Sequence, residues 1–312
     1  APAFYCSRSR RHSAQEVFRR EIQMMENFYI ERMASHIGLL MQKSLLYEVN
    51  ATLKPGLVDR AHSGAQQDMR LITFADSAYA LTPYFIQCAR EGLNFSGEKE
   101  ELPGLFEKLR VLGIEGEKNM REATGGVNTH KGMVFSGGIF CCCAGYGAGS
   151  LMEDYKGLEK RDPRTHGEKL YAEYQVEGIR GEVWRGFPHV LERGIFYFEK
   201  LLKKGYSLND AGLLTLLQYI SSVEDTNMII RSDYHTVLKI QKELEQFLKT
   251  SGPEEQLEII PALDIYFVKK NISPGGSADM LALTYFLHFL KNIQCPFETF
   301  DTERGECVET FR

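Results

Sequence analysis

The chain has 312 residues, with 37 Lys and Arg against 42 Asp and Glu and a net charge of −5. Hydrophobic residues at 43% and charged residues at 25% match a globular protein with a sizeable core and exclude collagen, low complexity and disorder. Without a basic excess there is no electrostatic case for a nucleic-acid partner. The length predicts one to two domains, and no fixed-period repeat is present.

The first residues carry Arg8, Arg10 and Arg11 with no apolar run behind them, so no signal peptide is expected. Ser13 with Glu16 reads as a capping box at a helix start. Met25, Tyr29, Met33, Ile37, Leu40 and Met41 then recur at three- and four-residue spacing, as one helix face requires. Pro103, Pro188 and Pro253 mark further helix starts, and Pro261 breaks or kinks a helix near residue 260. Met133 to Met152 holds no charged residue but contains five glycines and two serines. It reads as an interior helix, not a membrane span. Ser207 with Asp210 resembles another capping box, followed by the face Leu213, Leu216, Leu217 and Ile220. Leu281, Tyr285, Leu287 and His288 form a last helical face, and Phe297 to Phe311 suggests a short hairpin around Arg304-Gly305. The expected fold is all-α, a multi-helix globular bundle with that hairpin at its end.

Seven cysteines are present, at 6, 88, 141, 142, 143, 295 and 307, with no C-x-x-C pair. A structural zinc site is therefore not expected, and the thiols read as small buried apolar groups in a reducing cytoplasm. Between the helical stretches lie six segments that join glycine to charged or amide groups: 54–60, 64–68, 124–132, 180–182, 224–227 and 273–279. Glycine lets a backbone approach a ligand, helix N-termini favour phosphate, and carboxylates hold Mg²⁺. Together the segments point to several helix ends converging on one polyanionic ligand.

These segments resemble the triphosphoribosyl-dephospho-CoA synthase family. The residues that carry the likeness are KPGLVDR at 54–60, G-A-x-x-D-M at 64–69 and ATGGVNTHKG at 123–132. RGE at 180–182 with Gly186-Phe187-Pro188, DTN at 225–227 with Arg231, and SPGGSADML at 273–281 complete it. They span roughly residues 26 to 293 in the family's order. The resemblance implies an all-helical transferase that uses Mg²⁺. It would join ATP to 3′-dephospho-CoA, release adenine, and make the precursor of the citrate lyase prosthetic group. Close relatives serve malonate decarboxylase. The chain departs from the pattern at Leu53, His62, Gln66 and Ser232-Asp233, where the family usually has Pro, Asn, His and a glycine pair. Residues 1–24 carry a second likeness, to the end of the holo-citrate lyase synthase family. This divides the chain into an arm at 1–24, a synthase domain at 25–293 and a tail at 294–312, and suggests fusion or hand-over to that enzyme and to the citrate lyase acyl-carrier subunit.

The implied reaction is a glycosyl transfer at the anomeric carbon of the ATP ribose, through an oxocarbenium-like state. Lys54, Arg60, His130, Lys131 and Arg180 are the candidates for the triphosphate, with Asn128 for ribose or adenine. Asp59, Asp68, Asp225 and Asp279 are candidate Mg²⁺ ligands, and Asp225 and Asp279 are preferred because they sit in small-residue turns. Asp68, then Glu182, is the candidate acceptor of the attacking hydroxyl's proton. A Mg²⁺-dependent hydrolase of nucleotides or ADP-ribose is the alternative from the same residues. A third reading is a non-catalytic citrate lyase assembly partner that only binds CoA-like ligands.

Overall fold

The computed structural model describes residues 6–146, 170, 174–291, 299–301 and 306–308. Helix α1 (Cys6–Asn50) runs for 45 residues, and no glycine or proline interrupts it before Gly38. It passes through residue 24 without a break, and Ser13 and Glu16 lie inside it, not at a helix start. Its inner face buries Ala34, Ile37, Met41, Leu45 and Val49, the spacing expected of one helix side.

Helices α2 (Leu71–Asn94), α3 (Leu102–Ala123) and α4 (Lys131–Tyr146) follow. Next come α5 (Gly178–Trp184), a π-helical turn at His189–Gly194 and α6 (Ile195–Lys203). Helix α7 (Leu208–Ser222) begins at Ser207, whose Oγ accepts the Asp210 N–H as the capping pattern requires. The remaining helices are α8 (Thr226–Arg231), α9 (Tyr234–Thr250), α10 (Pro253–Glu258), α11 (Ile260–Lys269) and α12 (Gly275–Lys291). Pro103, Pro253 and Pro261 each fall in the first turn of a helix, where the missing N–H is harmless. Strands β1 (Thr299–Asp301) and β2 (Glu306–Val308) pair antiparallel, with Phe300 opposite Cys307. The fold is all-α. Among the described residues, no helix is long and apolar enough to cross a membrane.

The uncharged stretch forms α4, which ends at Tyr146; Gly147 to Met152 lie outside the described residues. Helix α2 is the centre of the packing and touches α1, α3 and α4. Its approach to α4 explains the glycines. A Cβ on Gly92 of α2 would stand 2.0 Å from the Cys142 carbonyl oxygen, and one on Gly145 of α4 would stand 2.5 Å from the Ala89 oxygen. The two backbones meet because neither residue has a side chain. Buried cysteines Cys88, Cys141 and Cys142 fill the rest of this seam, and desolvation pushes the Cys142 thiol up to about 12. They are apolar filling, unpaired to one another.

Gly92→Ala must push α4 off α2 and is expected to destabilise the protein by about 1–3 kcal/mol. Urea denaturation of the variant checks this, and an unchanged midpoint would show that the seam is not tight.

Candidate active site

The segment 54–60 is a closed knot. The Asp59 carboxylate accepts the Lys54 N–H at 2.8 Å and the Ala61 and His62 N–H groups at 2.7 and 3.2 Å. Asp264 of α11 accepts the Gly56 N–H and faces His62 Nε2, both at 2.9 Å. The Gly64 N–H donates to His62 Nδ1 at 2.9 Å, so a neutral ring carries its proton on Nε2. Gly56 has φ +69°, which only glycine adopts without strain. The Lys54 side chain is 1% exposed and ion-paired with Glu48 of α1. Segment 64–68 ties into the same knot: the Gln66 amide donates to Ser273 Oγ at 3.1 Å and accepts from Arg231.

Asp225 caps α8, accepting the Asn227 and Met228 N–H groups at 3.0 and 3.3 Å on Oδ1. Its Oδ2 accepts the Ser277 N–H at 2.8 Å and the Ser277 hydroxyl at 3.0 Å. One carboxylate therefore holds the starts of both α8 and α12. Gly276 lies against it; a Cβ there would stand 3.1 Å from Asp225 Cγ. Burial raises the Asp225 pKa, and the bonds from Ser277, Gly276 and Met228 oppose the rise. Service as a metal ligand would require giving up some of these bonds.

Asp279 follows at the fifth residue of α12, where its second turn begins. Its Oδ2 lies where a Cβ on Gly132 would be, 1.8 Å away, so a side chain at the start of α4 would collide with it. Among the described residues, no hydrogen bond engages this carboxylate. Burial, then the charges of Glu48 and Asp225, raise its pKa well above the usual range. His130 lies on the same side. Thr129 Oγ1 donates to Ser77 Oγ at 2.7 Å, and Ser77 Oγ meets His130 Nδ1 at 2.6 Å. His130 Nε2 is buried with no partner. Burial and then the Lys54 charge lower its pKa to about 3, so the ring is neutral.

A cavity of about 730 Å³ opens where α3, α4 and α5 meet the starts of α8 and α12. Asn128, Lys131, Arg180 and Asp279 line it, four of the residues singled out in the sequence. Lys131 Nζ lies 3.2 Å from Glu117 Oε1, which Arg121 also engages at 2.9 Å. Burial works against the Glu117 charge, but the bonds from Arg121 and Lys131 hold its carboxyl below the usual range.

The other candidates lie elsewhere. Asp225 and His130 pack behind the wall, and Lys54 is interior, occupied by Glu48. Arg60 and Asp68 are exposed and do not line the cavity. Arg60 bonds Thr52 Oγ1 at 3.3 Å, and the charge of Asp68 acts on Arg231. Glu182 is buried, but its partner is not a neighbouring arginine. Its Oε1 meets His189 Nδ1 at 2.6 Å, while Arg185 pairs with Glu177. Among the described residues, no three His, Cys, Asp or Glu side chains stand close enough to hold a metal unaided.

Sequence reasoning missed Arg121, Glu117 and Glu48. Arg121 and Glu117 stand on α3 one and two turns before the Thr124 loop, and their spacing of four was the available signal. Glu48 gave none.

The chain matches the family described as ATP:dephospho-CoA triphosphoribosyl transferase over residues 34–158 and 148–296. It is 36% identical to a probable 2-(5''-triphosphoribosyl)-3'-dephosphocoenzyme-A synthase of Photobacterium profundum, covering 80% of this chain and 86% of that one. A protein with the same description from Streptococcus mutans is 34% identical over 84% of this chain and 98% of its own. Protein CitXG of Leuconostoc mesenteroides is 34% identical over 90% of this chain and 66% of its own. No solved structure matches.

The raised Asp279 pKa has a consequence for stability. The folded protein holds this proton at pH values where the unfolded chain, with a carboxyl near ~3.9, has lost it. Folding therefore becomes less favourable as pH rises from about 4 through the folded pKa. Asp279→Asn removes that penalty, so its melting temperature is expected to exceed the wild type's at neutral pH and to converge with it below about pH 4. A variant less stable than wild type at pH 7 would refute the carboxylate repulsion.

Proposed function

We propose, since the chain belongs to the ATP:dephospho-CoA triphosphoribosyl transferase family, that it transfers the 5-triphosphoribosyl group of ATP to the ribose 2′-hydroxyl of 3′-dephospho-CoA. The bond from the anomeric carbon to adenine breaks, and adenine leaves with the electron pair. The 2′-oxygen bonds to the same carbon and gives up its proton, and the departing adenine takes up one, so that neutral adenine is released. The product is the precursor of the citrate lyase prosthetic group.

The observation that carries this reading is the cavity itself. The cationic Lys131 and Arg180, with Arg121 behind Glu117, share its wall with the unengaged carboxylate of Asp279. Lys131 opens α4, whose sixteen residues direct the positive end of the helix dipole toward the cavity. These groups suit the triphosphate. Asn128 and Asn227 are exposed on the wall and offer amides to ribose or base. Asp279 suits the developing positive charge on the sugar. It also fits Mg²⁺, which takes one or two carboxylates together with phosphate oxygens and water. A half-buried carboxylate without a donor, repelled by Glu48 and Asp225, is stabilised by a divalent cation. When bound with ATP, Mg²⁺ would neutralise part of the triphosphate charge.

Two finer points complete the proposal. The enzyme works in the cytoplasm, a reading supported by the buried thiols Cys88, Cys141 and Cys142, which form no disulfide among the described residues. Residues 1–24 resemble the end of a holo-citrate lyase synthase, which supports passage of the product toward that enzyme and the acyl-carrier subunit.

Mass spectrometry of the products from ATP, Mg²⁺ and 3′-dephospho-CoA tests the reaction. Adenine release that requires dephospho-CoA supports the transferase; release with water alone supports a hydrolase. Lys131→Ala is expected to raise the Michaelis constant for ATP at least tenfold, because one charge-assisted contact contributes ~1.5–3 kcal/mol. The constant for dephospho-CoA should change less. Loss confined to dephospho-CoA would place Lys131 on the acceptor instead.

A further inference from the structure

Beside the charged and amide groups just described, the cavity has an apolar part to its wall: Leu109 and Ile114 of α3, Phe135 and Ile139 of α4, and Ile230 of α8. Ile114 is 73% exposed and Ile230 45% exposed. Large aliphatic side chains at the edge of a cavity leave apolar surface in water that a ligand can cover. The one hydroxyl on this wall, Tyr84 Oη, already donates to the Val134 carbonyl oxygen at 2.6 Å.

The proposed reaction sets a recognition problem that this wall solves. Donor and acceptor are both adenosine polyphosphates, and adenosine, ribose and two phosphates are common to them. A site that read only those parts would accept a second ATP, or ADP, in place of the acceptor. What the acceptor alone carries is a long pantetheine arm with a gem-dimethyl group and methylenes. Resting on the functional reading above, we infer that the apolar wall, with Ile114 and Ile230 at its edge, seats the pantetheine arm and selects the acceptor against nucleotides that lack it. Discrimination of this kind is available to an apolar pocket, since each methylene contributes roughly 10–200-fold.

The test uses Ile114→Asp and Ile230→Asp in the full chain. Both positions are exposed, so both variants should fold, and circular dichroism with thermal melting verifies this. Adenine release is measured with dephospho-CoA or ADP as acceptor, each Michaelis constant being taken separately. Wild type is expected to prefer dephospho-CoA over ADP by at least a hundredfold in kcat/KM. Each variant should raise KM for dephospho-CoA at least tenfold, keep KM for ATP within twofold, and narrow the preference over ADP. A rise in KM for ATP would overturn the inference and put the donor's adenine on this wall, and unchanged constants for both would overturn it as well. Wild type that releases no adenine in the presence of dephospho-CoA would overturn the functional reading and this inference together, whereas altered variants of an active wild type bear on the wall alone.

Discussion

The arrangement around the cavity depends on one carboxylate placed between two helix starts. Every helix begins with N–H groups that its own turns do not satisfy. At α8 and α12 those groups converge, and Asp225 accepts from both. This fixes the relative position of the two helices at their first residues. Asn227 leaves this junction in the first turn of α8 and Asp279 at the fifth residue of α12, so both reach the cavity from a common anchor. Gly276 is part of the same device, because a side chain there would press on the Asp225 carboxylate.

A second constraint follows from charge. Glu48 and Asp225 both act on Asp279 inside the protein, and the interior Lys54 is already paired with Glu48. Asp225 is stabilised by hydrogen bonds, whereas Asp279 has none among the described residues. An unengaged carboxylate against the start of α4 is an unfavourable arrangement for the empty protein. It becomes favourable when a cation or a positively charged sugar occupies the cavity. The same logic covers His130, whose buried Nε2 is unpartnered while its other nitrogen is held through Ser77 and Thr129. Stability withheld at such groups is typical of sites shaped for a ligand.

Much of the helical framework was legible in the sequence, for reasons that are local. Apolar spacing marked the inner faces of α1, α7 and α12, proline marked first turns, and Ser207 marked a cap. The start of α1 was misread because a capping pattern at Ser13 is only a permission to begin a helix, and nothing upstream of it stops one. The glycine-rich loops were legible as a set, but their division was not. Segments 124–132, 180–182, 224–227 and 273–279 meet at the cavity, while 54–60 and 64–68 close on Asp264, Ser273 and Arg231. Lys54 shows why. In the chain it looks like a cation beside a glycine turn, and only the packing of α1 brings Glu48 to it. Glu182 teaches the same lesson, since its partner is His189 beyond a turn at Phe187, which takes φ +56°.

The glycines of α4 connect the core to the chemistry. At its far end, Gly145 lets α4 lie on the backbone of α2, and in the buried middle Gly138 makes room for Tyr84. At its first turn, Gly132 makes room for Asp279 by the same means. The helix is thus pressed against α2 along its length and against α12 at its tip. Its end carries Lys131 and the positive pole of the helix dipole. A shift of α4 along α2 would move Lys131 away from Glu117 and open the gap at Asp279 together. Tight backbone packing, which on a membrane-like stretch of sequence could be taken for a structural detail, therefore sets the distance between the cations and the carboxylate that face the substrate.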